Sequence, residues 1–185
     1  MSWLVAHIDD EREWPDEGAV IEALVRPSLP EPDDVSIARA PHAGFGYAQR
    51  ATSVRERRSG QPFFDEKRGL CIVADIRLDE RDELCGRLGL DARRITDVEI
   101  LVEGYLRLGA EIVPKLVGAF AFVLWDARSR KLLAARDPLG ERPLYFRRRR
   151  GRFWFATSVE QLLFVEDGLP PIDDEMVFGF LGGEY

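Results

Sequence analysis

An α+β fold, with helices packed on antiparallel sheets, follows from three observations on the 185-residue sequence. Residues 118–163 carry two hairpin patterns in succession. Two helical patterns sit together between groups of strands instead of alternating with them, and the strand connections are short enough to require antiparallel pairing. At this length one domain buries about 70% of its unfolded surface, enough for a full core.

Trp3 to Ile8 reads as a short apolar strand. Residues 9–32 are rich in Asp, Glu and Pro and hold one amphipathic piece, 19–25, that suits a short helix between loops. Residues 35–39 and 44–54 read as strands, the second opening on Gly44-Phe45-Gly46, which suits close backbone approach or a bulge. A buried strand follows over 70–76. Residues 79–88 have helical spacing, with Leu84 and Leu88 on one face and Gly89 as the stop. Thr96-Asp97-Val98-Glu99 is a capping box ahead of Ile100, Leu101, Tyr105 and Leu106, so a helix runs from there to Gly109. One or two further turns over 110–116 tolerate Pro114 only near their start. The apolar runs 118–125 and 132–135 flank Asp126-Ala127-Arg128-Ser129-Arg130 and form a hairpin. Asp137-Pro138-Leu139-Gly140 breaks the second strand; 143–146 and 153–156 then pair around an Arg-rich turn closed by Gly151. The two hairpins are expected to share one antiparallel sheet. After Leu163, charge and Pro170-Pro171 lead to a last helix over 173–181.

A net charge of −7 opposes a general nucleic-acid binder, which needs a basic face. The basic run Arg147 to Arg152, lacking only Gly151, is read as a solvated hairpin tip that discourages edge-to-edge pairing. The longest apolar run, 116–125, is too short to span a bilayer, and no basic region followed by an apolar stretch marks a signal peptide, so no membrane contact and a cytoplasmic location are expected. Cys71 and Cys85 lie in apolar segments without zinc-ligand spacing and read as core thiols. His7 and His42 have no motif that pairs them, so no metal site is expected.

The words "GAFAFVLWD", "ARDPLGERPLYF" and "FATSVEQLL" resemble the end of the glutaminase domain in asparagine synthetases and other class II glutamine amidotransferases. The resemblance implies a four-layer αββα sandwich of the N-terminal nucleophile hydrolase type, and an ancestral activity that frees ammonia from glutamine. Arg39-Ala40-Pro41-His42 is similar to the family's Arg-Gly-Pro-Asp. Arg50, eleven residues before Gln61-Pro62-Phe63 (the family's Gln-Pro-Leu), matches the arginine that binds the glutamine carboxylate. Asp97 matches the carboxylate that holds the substrate's amino group; it also suits the first turn of a helix, where the dipole favours an acid.

The catalytic words differ. Where the family reads Asn-Gly-Glu-Ile-Tyr-Asn, with the first two residues forming the oxyanion hole, this chain has Val73-Ala74-Asp75-Ile76-Arg77-Leu78. Losing one such donor costs about 10²- to 10³-fold in rate, and Val73 offers no side-chain donor. Where the family reads Met-Cys-Gly-Ile, this chain has Met1-Ser2-Trp3-Leu4. In active members the thiolate attacks the amide while the freed α-amine acts as base. Ser2 keeps a hydroxyl and loses the thiol; a retained Met1 blocks the amine.

Loss of nucleophile, neighbour and oxyanion hole together is similar to the branch of β-lactam synthetases and lasso-peptide cyclases, which use ATP to form an amide without glutamine. The resemblance therefore implies a glutaminase-like domain over 1–165 that acts as a scaffold, with 166–185 starting the connection to a C-terminal ATP-dependent synthetase domain or subunit. No Ser-Gly-Gly-x-Asp-Ser pyrophosphate loop occurs, so ATP and Mg²⁺ are expected on that second domain and no cofactor on this chain. A homodimer is compatible with the family. Two alternatives stay open: an active glutamine-hydrolysing amidotransferase or amidohydrolase using an N-terminal Ser2 after Met1 removal, and an amino-acid-binding module using Arg50 and Asp97.

Overall fold

Side chains alternate across a strand, so each strand of a layered sandwich supplies two different cores. The computed structural model describes residues 2–9, 11, 18, 20, 23, 34–49, 60–163, 165 and 171–183. Among them, β1 (Trp3–Asp9), β2 (Asp34–Ala40), β3 (Ala43–Gln49), β8 (Tyr145–Arg149) and β9 (Arg152–Ala156) form one antiparallel sheet in the order β2-β3-β1-β9-β8. The second sheet has β4 (Phe63–Asp65), β5 (Leu70–Leu78), β6 (Gly118–Asp126) and β7 (Lys131–Arg136) in sequence order.

Leu4, Ala6, Ile8, Phe45 and Phe155 of the first sheet pack between the sheets against Cys71, Val73, Val123 and Trp125 of the second. The other face of the second sheet, with Ile72, Ala74, Ile76, Phe120 and Phe122, is covered by α1 (Arg81–Leu88), α2 (Asp97–Leu108) and the 3₁₀ helix Gly109–Lys115. The other face of the first sheet, with Val5, Trp154 and Ala156, meets Val20, Ala23 and Leu162 of α3 (Val159–Leu163). Residues 20 and 23 are helical. The layers are therefore αββα. Strands β5 and β6 are covered on both faces, which is why they read as continuous apolar runs.

The capping box forms as expected: Thr96 Oγ1 accepts from Glu99 N–H, and Glu99 Oε2 accepts from Thr96 N–H at 2.7 Å. Within α2, a Cβ on Gly104 would stand 2.5 Å from Ile112 Cδ1, so the glycine lets the 3₁₀ helix close onto α2. A last helix, α4 (Asp174–Gly182), is capped by Asp173 and has no buried residue. Cys71 and Cys85 are free and buried, and burial pushes the Cys71 thiol well up despite a hydrogen bond from Ile72. Among the described residues no helix is long and apolar enough to cross a membrane.

Three expectations need correction. The two hairpins do not share a sheet: β6–β7 belongs to the second and β8–β9 to the first, because the segment after Asp137 carries the chain across the sandwich and β9 pairs with β1. The Arg-rich run is only partly a turn. Arg147 donates to the carbonyls of Leu162 and Val165, tying β8 to α3, and Arg148 stands over the Phe153 ring; the reversal is confined to Arg150 and Gly151, both at positive φ. Strand β4 was not foreseen. Most of the expected 19–25 helix, and 50–54 of the expected 44–54 strand, lie outside the described residues.

Candidate active site

The register brings one end of β1 to one end of β5. Strand β1 pairs with β3 from Trp3–Ala48 to Ile8–Ala43, and Asp9 N–H donates to the His42 carbonyl, so the β2–β3 turn lies at the Ile8 end. Across the sandwich, Trp125 Nε1–H donates to the Pro41 carbonyl of that turn at 2.7 Å, and Trp125 is paired with Cys71 at the start of β5. The Ile8 end of β1 therefore faces the start of β5. The Ser2 end faces the far part of β5, where Val73, Ala74 and Asp75 lie.

Ser2 precedes β1 and is buried. By alternation it falls on the same side as Leu4, Ala6 and Ile8, the inter-sheet side. The backbone next to it is fixed by Thr157: Leu4 N–H donates to Thr157 Oγ1, Thr157 N–H returns to the Leu4 carbonyl, and the Thr157 hydroxyl donates to the buried Gln161 Oε1. Position and burial suit a nucleophile held at a strand end.

On β5, Val73 faces the inter-sheet core and is fully buried, so its side chain presents two methyl groups there and no hydrogen-bond donor. Ala74 points the other way, into the helix-covered core. Its backbone is committed. Gln61 Nε2–H donates to the Ala74 carbonyl at 2.7 Å, and Ala74 N–H donates to Gln61 Oε1 at 2.6 Å. Asp75 returns to the inter-sheet side, and Arg142 Nη1 stands 3.5 Å from its Oδ2.

Arg142 is placed by a carboxylate loop. Asp137 accepts from Glu141 N–H at 2.9 Å, Arg142 N–H at 3.0 Å and Phe120 N–H at 3.4 Å. Burial alone would raise the Asp137 carboxyl, but these donors and Gly140 N–H outweigh it and hold the group below its ordinary 3.8.

The expected substrate residues are placed as follows. Asp97 lies at the start of α2, where Oδ2 accepts from Leu78 N–H and Oδ1 from Arg81 Nε–H, each at 3.0 Å. Arg81 also donates to the Ala92 and Ile95 carbonyls, so this nearly buried pair fastens the end of β5 to the α1–α2 connection. Arg50 lies outside the described residues. Gln61, Arg142 and Asp137 join the site without having been singled out, although each stands in a family-like word: Gln61-Pro62-Phe63 for the first, "ARDPLGERPLYF" for the others. No group of three or more His, Cys, Asp and Glu placed to hold a metal ion occurs among the described residues.

Chemically, these residues offer a buried serine hydroxyl, an aliphatic side chain at Val73, an Ala74 amide already engaged by Gln61, and a buried carboxylate–guanidinium pair. A family model describing the glutamine amidotransferase domain matches residues 48–164. The chain is 30% identical over 132 residues to the amidase chry2 of Gibberella zeae, covering 70% of this chain and 19% of that protein. It is 28% identical over 159 residues to asparagine synthetase [glutamine-hydrolyzing] 1 of Bacillus subtilis, covering 83% of this chain and 24% of that protein. It thus spans about a fifth to a quarter of the length of such relatives. Among solved structures, the glutamine phosphoribosylpyrophosphate amidotransferase of B. subtilis superposes with a TM-score of 0.66 at 14% identity, over 86% of this chain and 42% of that one, a likeness of fold. With this αββα sandwich and a family match over most of its length, the chain belongs to the glutamine amidotransferase domain family.

Proposed function

We propose that this domain has lost glutaminase activity and serves as the scaffold of an ATP-dependent, amide-forming ligase related to asparagine synthetase. One observation carries the reading: at the oxyanion positions, Val73 supplies no donor and the Ala74 amide is already accepted by Gln61 Oε1 at 2.6 Å. A hydroxyl nucleophile needs oxyanion stabilisation more than a thiolate does, and each absent donor costs about 10²- to 10³-fold in rate. Ser2 stands where the weaker nucleophile meets the weaker hole. Asp97 supports the same reading, since both its oxygens accept bonds from the protein's own backbone and Arg81.

In this proposal residues 1–165 form the scaffold and 166–185 lead toward the ligase domain, which holds ATP and Mg²⁺ and selects the substrate; the whole protein acts in the cytoplasm. The extra length of the asparagine synthetase relative supports a second domain. The test is an ammonia assay on the purified protein with glutamine, beside Ser2→Ala and an intact-mass measurement. No ammonia above the buffer rate is expected. Ammonia release that Ser2→Ala abolishes, from protein whose mass lacks Met1, would establish an N-terminal serine amidohydrolase in its place.

A further inference from the structure

The two sheets differ in width, and the difference leaves one strand partly uncovered. Strand β8 is the outermost strand of the five-stranded first sheet, beyond β9, while the second sheet has four strands. On β8, Phe146 is paired with Phe155, which packs between the sheets, so the Phe146 ring is turned to the inter-sheet side. It is nevertheless 68% exposed, its centroid 6.1 Å from that of Phe155. Arg148 follows on the same side, exposed, with its guanidinium over the Phe153 ring. Strand β8 is therefore a ledge that presents a ring and a cation about 7 Å apart along the strand.

Helix α4 has the same pairing with the opposite charge. Its first turn carries Asp174 and Glu175, and its large apolar side chains are exposed, Phe178 at 73%. Asp174, Phe178 and Leu181 recur at i, i+4 and i+7 and share one face. On that face the acid and the ring are about 6 Å apart along the axis, close to the spacing of Arg148 and Phe146 on β8. The sequence separates the charges in the same way. Residues 142–152 carry six arginines and no acid, whereas 153–185 carry seven acids and neither lysine nor arginine. Within one copy the two surfaces do not cover each other, since Phe146 and Phe178 both face solvent. Between two copies they can meet twice, and two such contacts about a two-fold axis leave neither surface open.

We propose that α4 of one copy seats on the β8 ledge of a second copy and that the second copy's α4 seats on the first, closing a dimer in which Phe178 packs on Phe146 and Asp174 faces Arg148. The inference is independent of whether the domain hydrolyses glutamine, because neither surface contains a residue of the candidate site.

Sedimentation velocity on the full chain tests it, over a concentration series in low and in high salt. The parent is expected to form a dimer that loosens as salt rises. Arg148→Glu and Asp174→Lys each set like charges opposite one another at both contacts, so each variant alone is expected to raise the dissociation constant at least about tenfold. Mixed in equal amounts, the two variants are expected to recover the parent's affinity, because every contact then pairs opposite charges. Mixing cannot restore a contact made within one chain, so the mixture reports on the contact between copies. Both positions are exposed and Asp173 still caps α4, so circular dichroism is expected to show both variants folded. Should either unfold, Phe146→Ser, which takes the ring from the ledge, is measured in its place and is expected to weaken the dimer. A parent that stays monomeric overturns the proposal and is the outcome expected if a further domain of the same polypeptide covers α4. A parent dimer unmoved by the substitutions overturns it too, as do folded variants that stay monomeric when mixed.

Discussion

Gln61 is the residue on which the state of Ala74 depends. Strand β4 pairs with β5 from Asp65–Leu70 to Phe63–Ile72, and two further steps of that register would set residue 61 opposite Ala74. There the ladder is completed by a side chain: the Gln61 amide gives and takes the two bonds that a strand residue would. Replacing Gln61 by Ala orphans one N–H and one C=O on a residue with no exposure. Each buried unsatisfied group costs about 1–3 kcal/mol, so the variant should lose about 2–6 kcal/mol from a total of order 5–15. In a domain of this size the melting temperature should fall by at least about 4 °C. Urea unfolding reads the loss, and hydrogen exchange should show the Ala74 amide losing protection. Gln61→Glu sharpens the test: it retains an acceptor for Ala74 N–H but sets a carboxylate oxygen against the Ala74 carbonyl. Its folded-state pKa is therefore raised, and the stability gap to the parent should narrow as pH falls and the introduced carboxyl becomes a donor. A Gln61→Ala protein within about 1 kcal/mol of the parent, with Ala74 still protected, would refute the claim that this amide is engaged.

Gly118→Ala should cost about 2–4 kcal/mol in chemical unfolding, because φ is +142° and the added Cβ would stand 2.1 Å from the Arg77 carbonyl oxygen, which must move. Asp137 has a depressed carboxyl, so its contribution is present above the ordinary 3.8 and lost as pH falls through the lower folded value; Asp137→Asn should cost about 1–3 kcal/mol at pH 7 and flatten the stability profile below about pH 4. Thr96→Ala should cost about 1 kcal/mol by thermal melting, the usual price of a cap whose reciprocal bonds are both made. Ser2→Ala should leave the ammonia rate from glutamine at the buffer level, and a measurable drop would count against the loss of activity.

The parts of the fold legible in the sequence are those set by neighbours along the chain. Thr96 and Glu99 are three residues apart, so the start of α2 could be read directly, and the turn between Asp126 and Lys131 announced the β6–β7 hairpin. Sheet membership was not legible. A hairpin fixes which two strands pair with each other, but the placing of β9 beside β1 is a pairing of Val5 with Ala156, and nothing local to either residue records it. The same limit hid β4, three residues long and completed by a side chain, and it hid the Arg147 contacts, whose acceptors are carbonyls at the end of α3 and just beyond it.

At the site, Ser2, Val73 and Ala74 are singled out in the sequence by their place in a motif, and the structure buries all three. Sequence position did not suffice for residues defined by what they touch. Asp97 suits both a substrate carboxylate and a first-turn acid; the structure gives its two oxygens to Leu78 and Arg81, interactions with the end of β5 and with α1 that a motif does not encode. Arg142 shows the converse. In sequence it is one residue of the word "ARDPLGERPLYF", and only the crossing of the chain from one sheet to the other sets it against Asp75. That crossing begins at Asp137, whose carboxylate gathers the N–H groups on both sides of it. The loop that moves the chain between sheets is thus also the loop that sets Arg142 against Asp75. A substitution that loosens Asp137 should consequently weaken the Asp75–Arg142 contact as well as the crossover, so Asp137→Asn and Arg142→Met should be less than additive in stability: once the loop is free, little of the ion pair remains to be lost.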